Sequence, residues 1–172
     1  MTEDKAFFSY LHEQLTDSVA HAKGTLYEHL LGTYTLLRAW GADEAVCRAG
    51  LFHSVYGTNV FTTRSIPPTG RAKVVALIGK NAEHLVFLFS RIERPERLLE
   101  TLENCHVVDM STKEFELIQK KEVVDIVTIE IANLIEQGGS KELMRLFLEK
   151  IVSTDTQIPP KAVAALSARV KN

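Results

Sequence analysis

Val123-Val-Asp-Ile-Val-Thr-Ile-Glu-Ile-Ala-Asn-Leu-Ile135 decides the fold. Wound at the helical period, this segment carries apolar side chains on nearly every side, which predicts a central helix surrounded by others. Helical spacing recurs along the rest of the chain and period-two alternation is scarce, so the fold class expected is all-α, a compact helical bundle. Glu130 and Asn133 are polar residues three positions apart on this helix, hence on one face of it. They sit where a buried helix would prefer apolar side chains, and they are the first candidate site residues.

Outward from the segment, Ser111 and Glu114 read as a capping box opening a helical region that reaches Gln137 before Gly138-Gly139. Two further helices are expected near residues 141–152 and 160–170. Upstream, a first helix is expected over Glu3 to Leu15. The second begins at Thr25, where Thr25-Leu-Tyr-Glu28 forms a capping box, and Gly41 offers a left-handed stop. Asp43 is placed to cap a third helix ending near His53 and Gly57. Residues 58–69, with Asn59, several Thr and the pair Pro67-Pro68, predict a loop of the kind that borders binding sites. Ala72 to Phe89 reads as helix with a break at Gly79, and Pro95 suits the first turn of a short helix through Leu102.

Bulk composition narrows the class. The 172 residues suit one domain, with 45% apolar and 24% charged residues and twenty Lys and Arg against twenty-two Asp and Glu. No basic stripe interleaved with aromatics predicts a nucleic-acid partner, and no apolar stretch approaches the roughly 20 residues of a membrane span. Cys47 and Cys105 lack disulfide or CxxC patterning and read as reduced core residues. Thr2 to Lys5 does not resemble a signal peptide, so a soluble, cytoplasmic protein is expected.

Several polar residues sit where helices would prefer apolar ones. His29 lies on the second helix, and His53-Ser54 follows the run Ala49-Gly50-Leu51-Phe52. Glu83 and His84 lie beyond the loop. Converging neutral imidazoles can hold a divalent metal, and a buried histidine satisfied by a backbone carbonyl fits the same pattern equally well. Tyr56, three residues after His53, fits either a cavity-lining residue or core packing, and Arg64 in the loop is a candidate for gripping an anionic substrate, against the commoner role of a solvated loop arginine. His21 precedes the second helix and fits a solvent-exposed histidine better than one folded over the pocket, for which it is a candidate. His12, His84 and His106 read as surface or packing residues.

The stretch His29-Leu30-Leu31, Trp40-Gly41-Ala42 and Ala49-Gly50-Leu51-Phe52-His53-Ser54 resembles the opening of an HD domain, and Ile129-Glu130-Ile131-Ala132-Asn133 resembles that superfamily's later ligand segment. The loop at Thr58 and helix at Ala72 are distantly similar to the guanosine tetraphosphate hydrolase branch. The His-Ser-x-Tyr-Gly-Thr run is similar to an uncharacterised bacterial HD-like family. The resemblance implies a single HD-like domain over residues 1–172, its core about 21–137 and its C-terminal helices at 140–171. It implies His29 and His53 as metal ligands for Fe, Mn or Zn. The departures are Ser54 and Asn133 where the superfamily has aspartates, and Tyr56-Gly57 where the hydrolase branch has an acidic pair. They remove charge that would neutralise a cation and activate its water.

Three readings follow for the site. Glu83 or Glu130 supplies the missing carboxylate to a rearranged metal centre, as in a hydrolase or oxygenase acting on a small polar or anionic metabolite. In the second, His21, His29, His53, Ser54 and Asn133 bind a small-molecule ligand without metal, as in a sensor or interaction module. In the third, these residues satisfy one another as a buried network.

Overall fold

The central helix is present and surrounded. In the computed structural model, which describes residues 3–14, 20–21 and 24–171 and leaves out the side chains at 3–5, 20–21, 24 and 68, α7 (Lys120–Gln137) buries Val123 and every residue from Ile126 to Ile135. It packs against α2 (Leu26–Trp40), α3 (Glu44–Phe52), α5 (Lys80–Arg91), α6 (Glu96–Asn104) and α9 (Pro160–Lys171). Neighbours on all sides are what an all-round apolar helix needs to remove its surface from water. The remaining helices are α1 (Glu3–Gln14), α4 (Arg71–Ile78) and α8 (Lys141–Ser153). The fold is all-α apart from two small antiparallel ribbons, β1 (Ala20–His21) with β2 (Gly24–Thr25) and β3 (His106–Val108) with β4 (Phe115–Leu117). No helix among the described residues is long and apolar enough to cross a membrane.

Local signals set the helix ends that matter for the site. Thr25 and Glu28 form the expected capping box, the Thr25 hydroxyl accepting from the Glu28 amide and the Glu28 carboxylate accepting from the Thr25 amide. Gly41 ends α2 in the left-handed region at φ 77°. Gly79, at φ 90°, divides the expected helix over residues 72–89 into α4 and α5, a turn that an L side chain would strain. This redirects α5 so that it packs on α3 as well as α7.

Two expectations fail. Asp43 precedes α3 without capping it through its side chain; its carboxylate meets Lys121 at 3.1 Å instead. Ser111 and Glu114 open no helix. Asp109 accepts through Oδ1 from the amides of Ser111 and Thr112, at 2.7 and 2.8 Å, and closes a turn between β3 and β4. Arg91 braces that hairpin from α5, reaching Asp109 and Glu116 at 2.5 and 2.7 Å, and holds the Asp109 carboxyl down at about 2. The capping box of α7 lies further on, at Gln119 and Glu122.

Candidate functional site: a buried imidazole pair beside a polar cavity

His29 and His53 come from consecutive helices, and their Nε2 atoms lie 3.1 Å apart. The rings are buried, 3% and 0% exposed. Each is held from behind. His53 sits at the C-terminal cap of α3, where the last carbonyls lack helical donors, and its Nδ1 pairs with the Gly50 carbonyl at 2.7 Å. His29 Nδ1 is paired with a Glu136 carboxylate oxygen from α7. A carbonyl accepts only, so His53 carries its proton on Nδ1 and turns Nε2 toward its neighbour as an acceptor. A carboxylate fixes the same tautomer for His29 and favours a proton on the ring. Burial works against that proton and pulls the His29 pKa below 6.5, and Glu136 only partly restores it.

Glycine makes the contact with Glu136 possible. Gly32 lies one turn after His29 on the same face of α2, and a Cβ there would stand 2.7 Å from the Glu136 Cγ. Since the obstacle is a flexible side chain, Gly32→Ala is expected to alter stability by less than about 1 kcal/mol. It should displace Glu136 and push the His29 midpoint lower still, read by the imidazole nitrogen shifts. An unmoved midpoint would show that Glu136 does not tune the ring.

The remaining residues form two groups. Gln137 Nε2 lies 3.5 Å from His29 Nε2, and Asn133 Nδ2 donates to Glu130 at 3.3 Å. The Glu130 carboxylate is buried but committed: Arg94 donates to it at 2.5 Å, and burial nonetheless pushes its pKa upward. Ser54, Arg94, Glu130, Asn133 and Gln137 line one cavity of about 400 Å³.

Tyr56 and Arg64 line a second cavity, of about 220 Å³, beyond the 58–66 loop. There Arg71 grips Glu83 through two bonds of 2.6 and 3.0 Å, and the Tyr56 hydroxyl donates to Glu83 at 3.0 Å. Burial, reinforced by Glu83, drives the Tyr56 pKa upward. Glu83 therefore serves Arg71 and Tyr56 rather than the imidazoles, a correction to the expectation of one shared pocket. The His21 side chain lies outside the described ones.

The donor set does not match an HD-type metal centre. Among the described residues, no group of three or more His, Cys, Asp or Glu is placed to hold a metal ion. Two neutral imidazoles meet, but Glu130 is matched by Arg94 and Glu136 sits behind His29. Among the described residues no carboxylate beside the imidazoles is left to offset a divalent charge.

The sequence of α2, α3 and α5 with its connecting loop matches a known family model. A DUF6817 domain, a domain of unknown function, is found over residues 10–94. No curated protein and no solved structure matches the chain. The DUF6817 segment holds both imidazoles, Ser54, Tyr56, Glu83 and Arg94. The α7 face that supplies Glu130, Asn133, Glu136 and Gln137 lies outside it. The site is thus built across the end of the DUF6817 match.

Nothing in the sequence alone singles out Arg94, Glu136, Gln137 or Gly32. Glu136 and Gln137 follow Asn133 by three and four residues, a spacing that puts all three on one helical face. Arg94 sits in the connection before Pro95, where no periodicity points it inward.

Proposed function

We propose that the protein binds a small polar metabolite in the cavity beside α2, α3 and α7, and that His29 and His53 handle a proton for it without a metal. The observation that carries this reading is the 3.1 Å approach of the two Nε2 atoms, with Glu136 and the Gly50 carbonyl holding the rings from behind. Two imidazole acceptors face to face repel unless one of them is protonated, so the pair takes up one proton and shares it. Glu136 supports the resulting imidazolium as the carboxylate of a catalytic dyad does. The HD resemblance supports the convergence of helices on this point; the charge lost at Ser54 and Asn133 supports a metal-free use of it.

A second reading rests on the same distance. Two imidazole nitrogens on one divalent ion, each about 2.0–2.1 Å from it, lie about 2.9–3.3 Å apart. A bound Fe, Mn or Zn completed by Asn133, Ser54 or water would keep the ligand roles expected for the histidines.

Histidine-labelled protein tests both. The metal-free reading expects His29 and His53 to titrate as one coupled pair, with an apparent midpoint below 6.5, and replacing His53 with Gln to move the His29 midpoint. Independent titration near the ordinary value would sink it. Equimolar Zn or Mn that raises Tm by several degrees and perturbs both Nε2 signals would establish the metal reading instead.

Stability should follow the same proton. The fold depresses the His29 pKa, so its stabilising contribution is complete above about 6.5 and is lost as pH falls from there toward the folded value. Glu130, raised by burial, acts with the opposite sign above 4.5. Glu130 is common to the native chain and a His29→Gln variant, so their difference isolates His29: the variant should lose less stability between pH 7 and 5.

A further inference from the structure

Arg94 is the cation at the wall of the larger cavity, and its guanidinium is only partly used. The residue is 4% exposed. Nη1 donates to Glu130 at 2.5 Å, and the guanidinium carbon lies 3.9 Å from the centre of the Phe89 ring. Nε is buried with no hydrogen-bond partner among the described residues. A buried donor without an acceptor costs about 1–3 kcal/mol, more when charged, and native folds leave few of them. The free Nε–H shares an edge of the guanidinium with Nη2, while Glu130 occupies Nη1. That edge has the planar two-donor shape that matches a carboxylate.

We infer that the ligand of this pocket is a small aliphatic monocarboxylate, seated on the Nε–Nη2 edge of Arg94. The inference rests on the reading of this cavity as a ligand pocket and names what enters it. Charge favours the smallest anionic charge. Arg94 and Glu130 are the charged residues among those lining the cavity and already balance each other, so every further negative charge is uncompensated and the phosphate dianion is disfavoured more than a monocarboxylate. Ser54, Asn133 and Gln137 add neutral hydrogen-bonding groups, and Phe61 and Leu143 give apolar wall for an aliphatic body. The volume, about 400 Å³, is that of a small-metabolite site. The imidazoles stand beside Asn133 and Gln137, within the same polar network.

The Nε–H of a buried arginine gives a resolved nitrogen–proton signal, so the test reads the donor itself in the full chain. The probes are butyrate, its neutral isostere butyramide, and inorganic phosphate. Butyrate should shift the Arg94 Nε–H signal saturably, the signal being assigned by its loss in Arg94→Lys, and that variant should bind butyrate at least tenfold more weakly. Butyramide and phosphate should produce no saturable shift over the same concentrations. Glu130→Gln keeps the guanidinium and removes the competing charge, so butyrate should bind it as tightly as the native chain or more tightly. Should Arg94→Lys fail to fold, this second variant still decides: a tenfold loss of butyrate affinity in Glu130→Gln overturns the proposal. So does an Arg94 signal that ignores butyrate, or responds equally to butyramide or phosphate. Histidine titration in the same samples separates the two readings. Coupled imidazoles without butyrate binding remove the carboxylate alone, whereas butyrate binding beside independent imidazoles removes the proton-sharing pair.

Discussion

Glu130→Leu, with Arg94 left in place, is expected to destabilise the protein by about 3–5 kcal/mol. The two side chains are 2% and 4% exposed and meet at 2.5 Å. Removing the carboxylate leaves a guanidinium with Nη1 as unpartnered as Nε already is, in a side chain almost wholly withdrawn from solvent. For a domain whose whole stability is typically about 5–15 kcal/mol, the loss is a large share. Glu130→Gln keeps an acceptor oxygen and should cost distinctly less. The double variant Arg94→Met, Glu130→Leu removes both charges together with their desolvation cost, and should unfold within about 1 kcal/mol of the native chain or above it. Urea midpoints at constant slope give these differences. A single Glu130→Leu variant that loses under 1 kcal/mol would mean that Arg94 finds another acceptor.

The double variant also separates stability from use. If an apolar pair serves the fold as well as the ion pair, the fold itself gives no reason for a buried arginine with an unpartnered Nε–H. The stable double variant should then show no butyrate response, with its imidazole pair still coupled. Such a protein would be folded and lack only its anion seat.

The sequence made the scaffold legible because the scaffold is built from local chemistry. Thr25 and Glu28, Gly41, Gly79 and the largely apolar run from Ile126 to Ile135 each act within a few residues of themselves, and each element they imply is present. The 106–117 segment misled for a related reason. Ser111 and Glu114 have capping spacing, but Asp109 takes the Ser111 and Thr112 amides first, and the two ends of the turn pair as strands. At the site, the positions of His29 and His53 on consecutive helices point to each other, while Glu83 and Glu130 look like spare carboxylates in the sequence. Which carboxylate is spare depends on where the arginines go. Arg71 opens α4 and Arg94 lies in the connection before α6; neither carries a periodic signal, and they claim Glu83 and Glu130 from 12 and 36 residues away. Charge balance at a buried site is a tertiary property, and helical phase does not report it.

Phe89→Ala should cost about 3–5 kcal/mol and disturb both halves of the site at once. The ring is fully buried. It meets the His53 ring at 84° with centroids 5.3 Å apart, and carries the Arg94 guanidinium 3.9 Å from its centre. Alanine there opens a cavity between the imidazole and the arginine, leaving His53 free to turn and Arg94 without the surface against which it lies flat. Phe89→Leu refills most of the volume but has no π-face, so it should cost about 1–2 kcal/mol. The two variants read different things. The alanine change is a packing loss and should show mainly in the urea midpoint. The leucine change spares the packing and should weaken butyrate through a looser guanidinium, while the coupled imidazole titration stays close to native. Equal loss of butyrate affinity in both would mean that volume alone positions Arg94. An unaltered affinity in the leucine variant would mean that Glu130 suffices to hold it, and that the aromatic face contributes only to the core.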